Sequence, residues 1–411
     1  MRSFRQSHGM ITSFLILNIT TGTVGGAMQL VVPLYAMSLQ ATTAEIGLIR
    51  GISGLGLLLL VIPAGFLVDH FGSKKLFLTG SLAGTLMTFA LTFAKIPVAM
   101  VVLMGLSGLF SALKMTALNA SFFRNLRNMG VEKAGWFKGS MSIGLTFIGP
   151  LLGGYLVKTI GFGLIFQLMA WLTLIPSALV FFFHKEPVSP GPVSELGKAA
   201  SVQLRGFNAL MGRRSLYLPL LTESISTACF ATFSAFIVVI VVRNLHLPPA
   251  TASLLLTAEG GVFILTVFIG GQLLNLMSPQ NIYLLSFGIT IIGLITLSFA
   301  GTLFGVVLAT VVLGLGLGLS NLVTSARIGH MEGEKGKIVG LFSAAVGAGI
   351  SLGPMIGGLI GEYMGNQFIF LAFIPLILFL GVLAVVSEPR REGELKSDAR
   401  YPEKVEIQKI Q

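Results

Sequence analysis

The sequence predicts an all-α polytopic membrane protein, with twelve transmembrane helices arranged as two pseudo-symmetric six-helix bundles. Three observations support this fold class: the composition, the number of long apolar runs and an internal repeat. Hydrophobic residues make up 54% of the 411 residues and charged residues only 10%, with a mean hydropathy of +0.89. An average soluble domain is about 25% charged, and disordered chains combine low hydrophobicity with high charge. The composition therefore excludes both of those classes.

Twelve apolar runs reach or approach the roughly 20 residues that a helix needs to cross the hydrocarbon core. They are continuous rather than alternating every second residue, which excludes a transmembrane β-barrel. The first run follows a basic start and is too long for the apolar core of a signal peptide, so we interpret it as an uncleaved span. In chain order, the predicted spans cover residues 10–38, 46–68, 76–94, 98–121, 137–158, 163–183, 216–242, 250–274, 282–300, 302–325, 338–360 and 367–386.

The basic residues indicate which side of the membrane each loop faces. Of the 27 lysines and arginines, two lie well inside spans, and three, Lys95, Lys158 and Arg243, lie in one set of loops or at the span ends beside them. The remaining 22 lie in the amino-terminal segment, the even-numbered connections and the tail. The positive-inside rule therefore predicts that both termini lie in the cytoplasm, and we expect a multi-pass protein of the plasma membrane. Because topology explains the net charge of +11, we expect contact with anionic lipid headgroups and no nucleic-acid binding.

The spans divide the chain into four segments. Residues 1–184 are predicted to form the first six-helix bundle and residues 216–387 the second, joined by a cytoplasmic loop over residues 185–215. Three prolines exclude a helix at the start of this loop. The residues after them predict either an amphipathic helix on the membrane surface or a solvated basic linker. The tail, residues 388–411, is charged and poor in apolar residues, so we expect it to be disordered.

Two short matches indicate that the halves arose by duplication. Residues 149–154 read Gly-Pro-Leu-Leu-Gly-Gly, and residues 353–358, 204 positions later, read Gly-Pro-Met-Ile-Gly-Gly. Residues 65–69 and 271–275 share a second pattern at an offset of 206. Two matches at nearly one offset favour a duplication, and the alternative is two unrelated glycine-rich packing motifs. Membrane proteins built from such repeats hold a binding site at the midplane between the halves.

Four charged residues lie inside predicted spans and away from the span ends: Arg50, Lys114, Glu223 and Glu259. A charge at the centre of a span costs about 2.5–3.5 kcal/mol on insertion scales, so such residues are functional candidates by default. We expect the two glutamates to bind protons or another coupling ion, because a partly buried carboxyl can change its protonation state during a cycle. The alternatives are structural ion pairs with the two basic residues or, for Glu259, a simple packing charge. Arg50, near the outer end of span 2, is interpreted as a gating residue.

The loop between spans 2 and 3 carries a motif of five residues: Gly65, Leu67, Asp69, Gly72 and Lys74. They match the Gly-x-Leu-x-Asp-Arg-x-Gly-Arg-Lys signature of the major facilitator superfamily, which this chain resembles over essentially its whole length. Histidine and serine stand where the family usually has its two arginines. The resemblance implies the family's twelve-helix fold and transport by alternating access.

A glycine- and proline-rich run in span 11 resembles the family's antiporter motif, which normally lies in helix 5. Span 5 keeps only a Gly-Pro-x-x-Gly-Gly core, and span 4 lacks the early basic residue of the family's proton-coupled drug exporters, which weakens the evidence for export. Small residues let helix backbones approach closely in lipid, and proline weakens the local hydrogen-bond ladder. We therefore expect a gating role for Gly149, Pro150, Gly349, Gly353 and Pro354.

The resemblance also implies a cytoplasmic gate around the loop motif. Asp69 is expected to meet the positive amino-terminal end of helix 11 or to pair with a basic residue just past span 4. The alternative is that Asp69 and Lys74 serve only topology and solubility. The gating residues predicted in this region are Gly65, Asp69, Gly72, Lys74, Arg124 and Arg127.

In this family, helices 1, 4, 7 and 10 line the central cavity, and all four of these spans present polar residues here. Spacings of three and four residues put Asn18 and Gln29 on one face of span 1, and put Thr227 and Phe230 on the Glu223 face of span 7. The predicted substrate-cavity residues are Asn18, Gln29, Lys114, Thr227, Phe230 and Asn321.

These observations predict a secondary active transporter of a small organic solute, with proton-coupled efflux by antiport as the favoured mechanism. The alternatives are an importer or uniporter of a small organic anion or metabolite, and a transporter-like membrane sensor. No residue identifies the substrate, and the sequence is compatible with both a drug-like amphiphile and an organic anion. We expect a monomer with no enzyme activity, cofactor or metal site, since no span carries a nucleophile–base pair and the chain has one cysteine, Cys229. Its partners are the solute, protons or another coupling ion, and the lipid bilayer.

Overall fold

The computed structural model describes residues 2–129, 133–180, 214–330 and 335–387. Within these ranges all regular structure is helical, which confirms the all-α class. The predicted tail lies outside the described residues, and so does nearly all of the predicted middle loop, including the segment for which an amphipathic helix is predicted.

The first half of the chain forms six helices, α1 to α6. Helix α3 ends in a 3-10 turn, and α5 contains a π-helical stretch between two α-helical pieces. The bounds are Arg2–Ser38 (α1), Thr43–Phe71 (α2), Ser73–Ala90 with the turn Leu91–Phe93 (α3), Pro97–Met129 (α4), Lys133–Ser142 with Ile143–Ile148 and Gly149–Thr159 (α5), and Phe162–Val180 (α6).

The second half forms six more helices, α7 to α12. Helix α7 ends in a π-helical turn, and α8 and α12 are each interrupted near one end. The bounds are Arg214–Val239 with the turn Ile240–Asn244 (α7), Pro249–Ile269 with Gly270–Gln272 and Leu273–Leu276 (α8), Pro279–Ser298 (α9), Leu303–His330 (α10), Lys335–Met364 (α11), and Phe368–Leu371 with Ile374–Ser387 (α12).

Each of the twelve predicted spans coincides with one of these helices. Among the described residues, eleven helices are long and apolar enough to cross a membrane, and α6 contributes a shorter apolar stretch, Phe162–Ala178. Several helices run past the predicted spans: α1 begins at Arg2 and α4 continues to Met129. Hydropathy marks where a helix meets lipid, whereas backbone hydrogen bonding continues into the polar residues beyond it.

Helix packing repeats between the two halves with an offset of six helices. In the first half, α1 packs on α5, α2 on α4, and α3 on α4 and α6. In the second half, α7 packs on α11, α8 on α10, and α9 on α10 and α12. Across the halves, α2 packs on α11 and α5 packs on α8. The repetition confirms two pseudo-symmetric six-helix bundles.

The duplicated Gly-Pro motifs lie at matching close contacts. A Cβ atom on Gly149 of α5 would be 2.5 Å from the carbonyl oxygen of Thr23 on α1, and one on Gly353 of α11 would be 2.5 Å from that of Ala228 on α7. Only glycine permits helices to approach this closely. The Gly149 N–H caps the π-helical stretch, directly before Pro150, which cannot donate a backbone hydrogen bond.

Candidate functional site

A cavity of about 180 Å³ lies between the two halves. Its walls come from α5 of the first half and from α7, α8 and α10 of the second half. The lining residues are Ser142, Leu145 and Thr146 of α5, Glu223, Ser226, Thr227 and Phe230 of α7, Glu259, Gly260, Phe263 and Ile264 of α8, and Leu317 and Asn321 of α10. Both glutamates that the sequence predicts as coupling sites therefore line one space.

Helix α7 positions Glu223 at the cavity wall. It is the most buried of the eleven long apolar helices, because 72% of the residues in its most apolar stretch lie inside the protein. Its polar residues therefore face other helices rather than lipid. Glu223 is 6% exposed, and the side-chain amide of Asn321 on α10 lies 3.4 and 3.5 Å from its two carboxylate oxygens. Nearby, the hydroxyls of Ser226 and Ser320 are 3.1 Å apart. These contacts join α7 to α10 and hold the Glu223 carboxylate in place.

Glu259 reaches the same cavity from α8. Two close approaches fix the helix here, because Gly260 packs against Thr146 of α5 and Gly314 of α10 packs against the backbone of Glu259. Glu259 is 1% exposed, and its Oε1 atom has no hydrogen-bond partner. A buried charge without a partner is costly. This carboxyl group is therefore suited to bind a proton or a cation from the cavity.

The rest of the cavity lining is mainly apolar and uncharged. Phe230 and Phe263 contribute aromatic rings, and leucine and isoleucine side chains fill the remaining wall. No lysine or arginine is among the described residues that line the cavity. Within the described ranges there is also no group of three or more histidine, cysteine or acidic residues that could hold a metal ion. The cavity is thus acidic, with partly aromatic walls.

Three predicted cavity residues lie elsewhere in the structure. Asn18 is fully buried and donates its side-chain amide to the carbonyl oxygen of Phe137 at 2.7 Å, which joins α1 to α5. Lys114 is 8% exposed on α4, and its backbone lies against Gly80 of α3. Gln29 is half-buried on α1. None of the three lines the cavity above, and their contact with substrate stays a prediction.

The motif predicted for the loop between spans 2 and 3 begins inside α2 and ends inside α3, and only Gly72 lies between the two helices. Gly72 ends α2 with a φ of 83°, in the left-handed region that favours glycine, and its N–H donates to the carbonyl of Val68 at 2.9 Å. Lys74 is half-buried and Arg124 is exposed. The gate implied by the family resemblance stays a prediction, because the described side chains do not include Gly65, Asp69 and Arg127.

Helices α2 and α11 are packed across the halves by glycines that lie outside the predicted motifs. A Cβ atom on Gly47 would collide with the carbonyl oxygen of Pro354, and Gly51 and Gly54 make similarly close approaches to α11. Small residues one helical turn apart are the sequence signal for such packing. Arg50 lies in the same stretch, half-buried, with no hydrogen-bond partner for its Nε atom, and its gating role stays a prediction.

Two hydrogen-bonded contacts join the halves where α1 ends and α2 begins, which we call the far end of the bundle. Glu362 of α11 accepts hydrogen bonds from the backbone N–H groups of Thr43 at 2.9 Å and Ala44 at 3.3 Å, in the first turn of α2. Arg243, at the end of α7, donates from Nη2 to the carbonyl oxygen of Ala41 at 3.0 Å. The halves are therefore in direct contact at the far end.

Sequence comparison finds relatives that are transporters. MJ1560 of Methanocaldococcus jannaschii, described as an uncharacterized MFS-type transporter, is 22% identical over 382 residues, which cover 88% of this chain and 94% of the relative. A homolog of the multi-drug resistance efflux pump PmrA, from Lactococcus lactis, is 22% identical over 367 residues, which cover 84% of this chain and 87% of the relative.

The fold and the sequence pattern both match one family. A crystal structure of a variant of the nucleoside transporter NupG superposes with a TM-score of 0.77 at 16% identity, covering 92% of this chain and 100% of that chain. The family model described as Major Facilitator Superfamily matches residues 14–244 and 220–409. With the twelve-helix, two-half architecture, these matches show that the chain belongs to the major facilitator superfamily of membrane transporters.

Proposed function

We propose that this transporter exports a small organic solute in exchange for protons, and that protons and solute compete for Glu223 and Glu259. The observation that carries the proposal is the pair of carboxylates in one cavity between the halves, where the Oε1 atom of Glu259 has no hydrogen-bond partner. A buried carboxyl group in such a place can hold a proton in one conformation and release it in another.

The contacts between the halves support an assignment of the closed side. Helices α2 and α11 pack tightly towards the far end, where Glu362 and Arg243 add hydrogen bonds. If both termini are cytoplasmic, as the basic residues predict, the far end faces the outside. On this assignment the far-end contacts close the outer side, and the cavity exchanges with the cytoplasm. Export then requires these contacts to separate in the other half of the cycle.

The proposed cycle requires only binding and proton transfer. When the cavity faces outwards, protons from outside neutralise the carboxylates and release the solute. When it faces inwards, the protons dissociate into the cytoplasm and the carboxylates bind solute again. One charge crossing a 100 mV potential contributes about 2.3 kcal/mol, and one pH unit contributes about 1.4 kcal/mol. The pH gradient alone can therefore accumulate a solute about tenfold per pH unit for each proton exchanged, and the potential contributes only where the exchange moves net charge.

Two observations support export over import of an organic anion. The Lactococcus lactis relative is named as a homolog of a multi-drug resistance efflux pump. In addition, two carboxylates without a basic side chain in the described lining make the cavity unsuited to an anion, because like charges repel.

Flux in proteoliposomes under an imposed pH gradient tests the proposal. With a panel of radiolabelled cationic, neutral and anionic solutes, we expect at least one solute to be transported in exchange for protons. A pH-sensitive dye inside the vesicles records the accompanying proton movement. Flux that does not depend on the pH gradient would instead indicate a uniporter. Binding without any flux would indicate a membrane sensor, and either result contradicts the proposal.

A further inference from the structure

We infer that the solute is a small monovalent organic cation, bound with its charged nitrogen at Glu259 and its apolar body against Phe230 and Phe263. The inference rests on the proposed function for the movement of this cation across the membrane. Its binding is a separate property, which can be measured without any gradient.

The charges in and around the cavity favour a positive ligand. Two carboxylates line it, and the two basic residues that the sequence places well inside spans, Arg50 and Lys114, lie outside the lining. Glu223 already has the Asn321 amide beside both of its oxygens, whereas the Oε1 atom of Glu259 has no partner although the residue is 1% exposed. A cation at Glu259 supplies the missing partner, and an anion there would face the like charge of that carboxylate.

The size and the walls of the cavity specify the ligand further. Its volume of about 180 Å³ is below the roughly 300 Å³ at which pockets for drug-sized ligands begin, so the ligand is small. The aromatic rings of Phe230 and Phe263 are suited to a quaternary or protonated amine, because cations are attracted to the faces of aromatic rings. The leucine and isoleucine side chains of the lining pack against the uncharged remainder of the ligand.

Equilibrium binding to the purified full chain in detergent, measured by calorimetry, tests this inference. The probe is benzyltrimethylammonium, compared with the neutral benzyl methyl ether and the anionic phenylacetate. We expect saturable binding of the cation only. Glu259→Gln is expected to weaken that binding at least about tenfold, because it removes the charge that a buried cation requires. Glu45→Gln, which removes a carboxylate in the first turn of α2, is the charge-matched control and is expected to bind as the wild type does.

Equal binding of the neutral ether would overturn the inference, and so would unchanged cation binding by Glu259→Gln. The outcome is distinct from that of the flux assay. Cation binding without proton-driven flux contradicts the proposed function and leaves the binding inference standing. Proton-driven flux of a neutral or anionic solute, without cation binding, overturns the inference and leaves proton-coupled transport standing.

The far-end contacts carry a second inference independently: the geometry points to a latch, formed by Glu362 and Arg243, that holds the halves closed there. Glu362 accepts from two N–H groups of the first turn of α2, where the amino-terminal end of a helix attracts negative charge. Arg243 donates to the carbonyl of Ala41, just before that turn. All three hydrogen bonds are charge-assisted and cross between the halves, so all three break when the far end opens.

The start of α2 also has a cap within its own half. Thr42 and Glu45 form a complete capping box within the helix, with hydrogen bonds of 2.9 and 3.2 Å. Glu45 and Glu362 therefore place two carboxylates at one helix terminus, the first bonded within its own half and the second bonded across the halves.

Distances between spin labels at the far end test the latch. In a Cys229→Ala background, Ser38→Cys at the end of α1 and Asn244→Cys at the end of α7 provide two exposed sites, one on each half. Replacing Glu362 and Arg243 together by glutamine is expected to raise the ratio of long to short distances at least about tenfold, since charge-assisted hydrogen bonds are lost. Glu45→Gln is expected to leave the ratio unchanged. No shift in the double variant, or an equal shift with Glu45→Gln, would show that no latch exists.

Discussion

Glu259→Gln is expected to abolish the coupling of solute flux to a pH gradient while leaving the protein folded in the membrane. Glutamine has nearly the same shape and keeps hydrogen-bonding capacity, but it neither releases a proton nor attracts a cation. For one proton exchanged per monovalent cation, one pH unit corresponds to about a tenfold solute ratio. We expect the wild type to approach that ratio in proteoliposomes and the variant to stay near one.

Glu223→Gln and Glu45→Gln complete this experiment. Glu223 lines the same cavity but has the Asn321 amide beside it, and we expect its replacement to abolish coupling as well. Glu45 lies in the first turn of α2, away from the cavity, so its variant controls for the loss of one negative charge. Unchanged gradient-driven transport in both Glu223→Gln and Glu259→Gln would show that these carboxylates are not the coupling sites.

Gly47→Ala is expected to prevent closure of the far end and thereby to stop transport. The new Cβ atom would collide with the carbonyl oxygen of Pro354 and lie 2.8 Å from the Cα atom of Gly358. These are backbone atoms, which cannot move aside as a side chain can. Overpacking of this kind costs about 1–3 kcal/mol, which is roughly a five- to 150-fold change in the closing equilibrium. Flux measurements and the far-end distance between labels at residues 38 and 244 both report this change.

Gly84→Ala provides the matched control for that experiment. Gly84 lies inside α3, and a Cβ atom there would have no neighbour within 4 Å. The same chemical change is therefore expected to leave flux and far-end distances as in the wild type. Transport by Gly47→Ala within about twofold of the wild type would contradict the role of this helix contact in closure.

The sequence predicts the helices and the duplication well, because both depend on local patterns. Apolar runs of membrane-spanning length locate all twelve helices, and the repeated Gly-Pro motifs at 149–150 and 353–354 lie at corresponding contacts in the structure. Buried charge is a strong local signal too. Glu223 and Glu259 stand out only because a carboxylate in an apolar span is costly, and the structure brings them to one cavity.

The sequence predicts less well which helix face meets which neighbour. Helical spacing places Asn18 and Gln29 on one face of α1, but the Asn18 amide binds the backbone of α5 rather than lining the cavity with Glu223. The far-end contacts lack a sequence signal altogether. Glu362 and Thr43 are 319 residues apart, and Arg243 and Ala41 are 202 residues apart. Such pairs become visible only when the fold brings them together.

Sided labelling of one cavity cysteine tests most directly whether two halves alternately expose this cavity. In a Cys229→Ala background, Thr227→Cys places a single thiol on the lining, and a membrane-impermeant maleimide is added to right-side-out or inside-out vesicles. We expect labelling from the cytoplasmic side in this background, and labelling from the outer side once Gly47→Ala prevents far-end closure. Labelling from the same side in both proteins, or from neither side, would contradict alternating access to the cavity.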